Sequence, residues 1–92
     1  MNYRVLISET AQKFLSSLTS KSRGIIGRKI DDLAGNPRPH GYEPIKGASG
    51  YYRICSGIYR IVYTIQDDIL LVTVILIATR DKIYKIAGRL NE

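Results

Sequence analysis

The 92-residue chain predicts an α+β fold: an N-terminal strand, a two-helix hairpin, a three-stranded antiparallel meander and a C-terminal helix. Three observations carry the prediction. Apolar residues recur at helical spacing only in the first third of the chain and at its end. The segment Tyr51–Tyr63 reads as two strands folded around Ser56-Gly57. The run Ile69–Ala78 is nearly all apolar and β-branched, which suits a central strand covered on both faces. A helix pair laid on one face of a twisted sheet buries all of these stripes at once.

The elements follow in order. Residues 2–7 form the first strand. Ser8 is placed to cap a helix, and Glu9 sits in the first turn, where a carboxylate suits the helix dipole. Ala11, Phe14, Leu15 and Leu18 then keep i, i+3, i+4, i+7 spacing. Thr19 to Ser22 is a short polar connection. Ile26, Ile30, Leu33 and Ala34 give a second helix its apolar face, while Gly24 and Gly27 each weaken it by roughly 1 kcal/mol relative to alanine. Gly35-Asn36-Pro37 stops it.

Pro37 to Gly50 is a loop dense in proline and glycine. It carries the one histidine, His40, between Pro39 and Gly41, a setting that reads as solvent-exposed rather than catalytic. With Ser56-Gly57 as a two-residue loop, Cys55 faces Ile58, Ile54 faces Tyr59, and Arg53 faces Arg60. Tyr59, Ile61, Tyr63 and Ile65 share the core face. Arg60, Val62 and Thr64 share the other, opposite Tyr51, Arg53 and Cys55. Gln66-Asp67-Asp68 is a polar turn before the apolar strand, and Ile83, Ile86, Ala87 and Leu90 stripe a last helix over residues 81–90.

Length fits one domain spanning residues 1–92. The longest apolar run is too short to span a bilayer, and the N-terminus has no secretory pattern. With one cysteine, an internal disulfide is excluded and a cytoplasmic setting is expected. The formal net charge is +6. Between Glu43 and Asp67 there is no acid, whereas Lys46, Arg53 and Arg60 fall in that window, so an anion-binding surface is expected there.

Several chemistries drop out. There is no Cys/His cluster for zinc and no glycine-rich phosphate loop. Neither a metal nor a cofactor is implied. The adjacent pairs Asp31-Asp32 and Asp67-Asp68 read as solvated residues. What remains is Lys46, Arg53, Arg60, Arg80 and Tyr84, with Tyr84 one helical turn beyond Arg80. Facing guanidiniums cost stability unless they hold an anion, and the arginine fork suits phosphate. Such a sheet groove, with aromatic rings beside it, suits an RNA backbone and an unstacked base.

The pattern Tyr51-x-Arg53-x-x-x-Gly57-x-Tyr59-Arg60-Ile61-Val62-Tyr63, then an apolar strand, then Arg80-x-x-x-Tyr84, resembles the RelE/ParE superfamily of bacterial toxins, RelE-like branch. The resemblance covers most of the chain. It implies a microbial-RNase-like fold and ribosome-dependent cleavage of mRNA, by attack of a ribose 2′-OH on the adjacent phosphate. It implies a cognate antitoxin that masks the basic groove, and a toxin–antitoxin complex that contacts operator DNA through the antitoxin. By the same resemblance, Arg53, Arg60, Arg80 and Tyr84 are the catalytic set, and Lys46, Tyr51 and Arg53 hold RNA. Two positions depart from the pattern: Cys55 stands where relatives often carry a second basic residue, and Thr79 where many carry a histidine. The alternatives are a ParE-like DNA gyrase poison and a non-catalytic basic module that binds nucleic acid.

Overall fold

The computed structural model describes residues 2–87, with side chains described through Ile83. The N-terminal segment gives β1 (Arg4–Ile7), whose alternate residues Val5 and Ile7 turn toward the core. Ser8 ends the strand and caps α1 (Glu9–Ser16), its Oγ accepting from the Ala11 N–H at 3.1 Å. The connection to the second helix is tighter than expected. Thr19 is itself the cap of α2 (Ser20–Asp32), accepting from the Ser22 N–H at 3.2 Å, so the helix begins inside the segment read as a polar link. A Ser/Thr oxygen that satisfies an orphan helix N–H is worth about 1 kcal/mol, and two such caps fix both helix starts.

The sheet has five strands rather than the expected four. Glu43–Pro44 form a two-residue strand, β2, inside the loop, followed by β3 (Tyr51–Ser56), β4 (Tyr59–Gln66) and β5 (Leu71–Thr79). A 3-10 turn, Asp67–Ile69, joins β4 to β5 and ends on Leu70 in the left-handed region at φ 51°. The strand order is β1-β5-β4-β3-β2, with β1 parallel to β5 and the other neighbours antiparallel. Pro44 fits its place because a proline lacking an N–H is tolerated on an edge strand.

The apolar run became the strand that neighbours both β1 and β4, as expected of a central strand. Val72, Val74 and Ile77 bury against Ile54, Ile61 and Tyr63 of the sheet and Ala11, Ile26, Ile30 and Leu33 of the helices. On the opposite face, α3 (Arg80–Ala87) lays Ile83 onto Val62 and Ala78, with Ile45, Tyr51 and Leu76 around them. The expected stripe residues Ile86 and Ala87 have no described side chains, and Leu90 lies outside the described residues.

One irregularity ties the layers together. Val62 pairs with Leu76 but Tyr63 pairs with Val74, so Ile75 is a bulge in β5. Its freed carbonyl accepts from Ser8 Oγ at 2.6 Å, and the Ser8 N–H donates to Val74 at 2.8 Å. One serine therefore closes β1, starts α1 and satisfies the bulge. Among the described residues no helix is long and apolar enough to cross a membrane.

Candidate functional site

The β3–β4 hairpin sets the geometry of the basic face. Its loop is Gly57-Ile58, one residue later than expected, and Gly57 takes φ +62°. Glycine with positive φ in the first loop position, followed by a residue of negative φ, belongs to a type II′ turn. The register shifts accordingly. Arg60 lies opposite Cys55, and Arg53 lies opposite Val62, so the two arginines do not face each other as expected. The shift moves each pairing by two, so it leaves every side chain on its expected face. Arg53 and Arg60 still project from one face, as diagonal neighbours about 7–8 Å apart at Cα.

Their guanidiniums have different partners. Arg53 Nη2 donates to Glu43 Oε2 at 2.7 Å, and its Nη1 lies 3.3 Å from Cys55 Sγ. Glu43 is the residue paired with Arg53 across β2–β3. This carboxylate was missed because Pro44 masks the short strand that carries it. Arg60 instead folds back over the turn, its Nη1 donating to the carbonyls of Gly57 and Tyr59, both at 3.0 Å. Arg80 opens α3 beside the same turn, its backbone N–H donating to the Ile58 carbonyl at 2.9 Å. The Arg80 side chain is exposed and lies 3.9 Å from exposed Asp81, a contact worth little in water.

Arg60 and Arg80 are therefore gathered around one turn, while Arg53 is held a little away by Glu43. Tyr51 is half-buried on the same face, and Lys46 is exposed in the loop that precedes β3. Thr79, where relatives often carry histidine, pairs with Tyr59 at the end of β5. The side chain of Tyr84 lies outside the described residues.

Two other expectations resolve away from this face. His40 is exposed, at the mouth of a concavity of about 270 Å³ beside Ile54 and Cys55, where β2 no longer covers the β3 edge. Asp67, expected to be a solvated turn residue, ties three segments together. It accepts two bonds from Arg38, at 3.1 and 2.7 Å, and one from the Tyr3 hydroxyl at 2.5 Å. The Arg38 hydrogen bonds, then that of Tyr3, hold its carboxyl down at about 2. The same contact, led by the hydrogen bond to Asp67, raises the Tyr3 phenol above its ordinary value. Tyr63, buried, donates to the Pro37 carbonyl at 2.7 Å, and desolvation pushes its phenol well up. These contacts pin the Pro-rich loop so that β2 can reach the sheet edge.

Helices α1 and α2 on one face of a five-stranded sheet and α3 on the other, with Arg60 and Arg80 at one hairpin turn, define a small basic α+β domain. The family model for the ParE toxin of type II toxin–antitoxin systems, parDE, matches residues 5–84, and the chain belongs to that family, within the RelE/ParE superfamily. No curated protein matches the chain. Solved structures do. The free E. coli toxin RelE, in a variant with two arginines replaced by alanine, aligns at 26% identity with a TM-score of 0.77, covering 97% of each chain. The same variant in complex with an antitoxin RelBc peptide aligns at 28% identity and 0.71, covering 95% of each chain. RelE in the archaeal RelE–RelB complex from Pyrococcus horikoshii OT3 aligns at 25% identity and 0.76, covering 87% of this chain and 97% of that one. The α+β expectation is met at the level of the fold: helices and sheet match RelE toxin structures.

Proposed function

We propose that this chain is the toxin of a type II pair and cleaves mRNA in a ribosome-dependent manner, held inactive by a cognate antitoxin. The observation that carries the reading is the gathering of Arg60 and Arg80 at one turn, on the face that also presents Arg53. None of the described carboxylates pairs with Arg60. Attack of a 2′-OH on its neighbouring phosphate develops a dianionic phosphorane and leaves a 2′,3′-cyclic phosphate and a 5′-OH. Arg60 and Arg80 supply positive charge where that dianion forms, and removing one such contact typically costs about 10²–10³ in rate.

Arg53 joins only after exchanging its carboxylate for a phosphate. Glu43 is 60% exposed, so the pair contributes about 0–1 kcal/mol, and a phosphate offers the fork a better partner. Cys55 in the middle of the face offers no strong base. Proton transfer, worth about 10²–10⁴, falls to Tyr84, Lys46 or a ribosomal group. The antitoxin is the partner that the RelE–RelB complexes support by analogy.

A second reading, poisoning of DNA gyrase, is favoured by the ParE description of the matching family and by the partial neutralisation of Arg53. Two assays separate the readings. Mapping mRNA 5′ ends in a purified translation system, with and without ribosomes, reveals new ends under the first reading. A supercoiling assay reveals blocked gyrase under the second. Arg60→Ala and Arg80→Ala are each expected to abolish growth inhibition with the fold intact, and full toxicity in both removes the nuclease reading.

A further inference from the structure

The short reach of β2 leaves the end of β3 uncovered. The Tyr51 carbonyl accepts from the Ile45 N–H at 2.9 Å, so Tyr51 directs its backbone groups toward the β2 side. In an antiparallel ladder alternate residues share that direction, so Arg53 and Cys55 do the same. Arg53 meets Glu43, the first residue of β2, and the register ends there. Just upstream, Gly41 at φ +91° turns the chain aside, and the Tyr42 N–H is taken by the Pro39 carbonyl at 3.0 Å. Among the described residues the N–H and C=O of Cys55 therefore have no strand partner on that side. They stand at the edge of the concavity of about 270 Å³ that Cys55 helps to line.

The lining of this hollow differs from the arginine face beside it. Buried Ile54 gives it an apolar base, and the rings of Pro39 and His40 stand at its rim. Lys29 and Asp32 of α2 form the remaining wall, one charge of each sign, so a neutral His40 leaves the lining with no net charge. Cationic groups lie just outside. Cys55 sits opposite Arg60 across β3–β4, and its Sγ lies 3.3 Å from Arg53 Nη1. A neutral, ring-rimmed hollow next to two guanidiniums matches the two parts of a nucleotide, an uncharged planar base and a phosphate. The bare Cys55 N–H and C=O offer a donor beside an acceptor, the arrangement that base edges themselves present. An added peptide strand needs a run of open ladder positions, and here one residue is open.

We propose that the hollow at the end of β2 is a nucleobase subsite, which takes one unstacked base of single-stranded RNA while the adjoining phosphate lies on Arg53 and Arg60. It rests on the RNA-directed reading above and adds the place where nucleotide preference arises. His40 stacks on the base, Ile54 supports it from below, and the Cys55 backbone pairs with its edge. The arginines position the strand without reading it, whereas contacts to a base carry sequence information.

The test uses Cys55 as its own reporter, since it is the one cysteine and is exposed. Alkylation by iodoacetamide is followed by mass spectrometry on the purified full-length chain, with each of the four ribonucleoside 5′-monophosphates and with ribose 5-phosphate at matched concentrations. At least one nucleotide is expected to slow alkylation saturably, by about tenfold at about ten times its half-saturating concentration. Ribose 5-phosphate, which brings the phosphate without a base, is expected to slow it far less. His40→Ala is expected to raise the half-saturating concentration by about fivefold or more, with unchanged Tm and an unchanged alkylation rate when no nucleotide is present. Absence of protection, equal protection by ribose 5-phosphate and the nucleotides, or unchanged half-saturation in His40→Ala overturns the proposal. So does protection by poly-glutamate and by no nucleotide, which points to an acidic polypeptide instead. Cleavage of mRNA on ribosomes is scored in parallel. Base-dependent protection in a chain that cuts nothing supports the subsite and removes the nuclease reading alone, whereas cleavage without base-dependent protection removes the subsite alone.

Discussion

Ser8→Ala tests the coupling between helix start and sheet. Ser8 Oγ accepts from the Ala11 N–H at 3.1 Å and donates to the Ile75 carbonyl at 2.6 Å. Losing an N-cap costs about 1 kcal/mol. Losing a part-buried hydrogen bond to a bulge carbonyl costs about another 1 kcal/mol. Together they amount to about 2 kcal/mol, and for a domain of this size each kilocalorie lowers Tm by about 4–8 °C. Thermal unfolding followed by circular dichroism is therefore expected to drop by about 8–16 °C. Ser8→Asp separates the two halves. A carboxylate can cap the helix and favours its dipole, but it has no proton for Ile75, so its Tm should fall between wild type and Ser8→Ala. A Ser8→Ala protein that melts with the wild type would refute the reasoning. Ser8→Asp melting with the wild type would show that the bulge bond contributes nothing.

Other outcomes follow from the same contacts. Tyr63→Phe leaves the buried Pro37 carbonyl without its donor and should cost about 1–2 kcal/mol, seen as a lower denaturant midpoint and faster proteolysis in the Pro-rich loop. Tyr52→Phe is the control, since that ring only stacks near Tyr42 and Tyr63. Asp67 has a depressed folded value of about 2, so its contribution is present above its unfolded value near 3.8 and is lost as pH falls toward 2; Asp67→Asn should flatten that acid limb in a series of melts. Gly24→Ala and Gly27→Ala should each stabilise by about 0.5–1 kcal/mol, because neither Cβ meets a neighbour; equal or lower Tm in both would contradict this. Glu43→Gln frees Arg53 from its charged partner and should strengthen RNA binding, with a steeper salt dependence, if Arg53 contacts phosphate.

Much of the fold was legible because periodicity and caps are local. Ser8 and the stripe Ala11, Phe14, Leu15, Leu18 placed α1, and the alternation Tyr59, Ile61, Tyr63, Ile65 chose the core face correctly. The hairpin loop was misplaced by one residue because both Ser56-Gly57 and Gly57-Ile58 hold a glycine; the sign of φ at the first loop position decides, and that is a property of the twisted ladder. The parity of the sheet protected the face assignment but not the pairing, so Arg53 and Arg60 proved diagonal. What escaped entirely were contacts that depend on distant segments meeting. Glu43 on Arg53, Asp67 on Arg38 and Tyr3, and Ser8 on Ile75 each join residues that only the finished sheet brings together. No short-range pattern announces them.

The strand beside β1 is the last one made. Because Arg4–Ile7 pairs with Leu71–Val74, β1 has no partner strand until β5 has been synthesised, and so distant a pairing must first meet its loop-closure entropy. A message truncated before that point yields a product with one bare border on β4 and an orphaned leading segment, prone to being cleared rather than to fold. Arg80 comes later still. The sheet that carries Arg53 and Arg60 is thus whole only once β5 has been made.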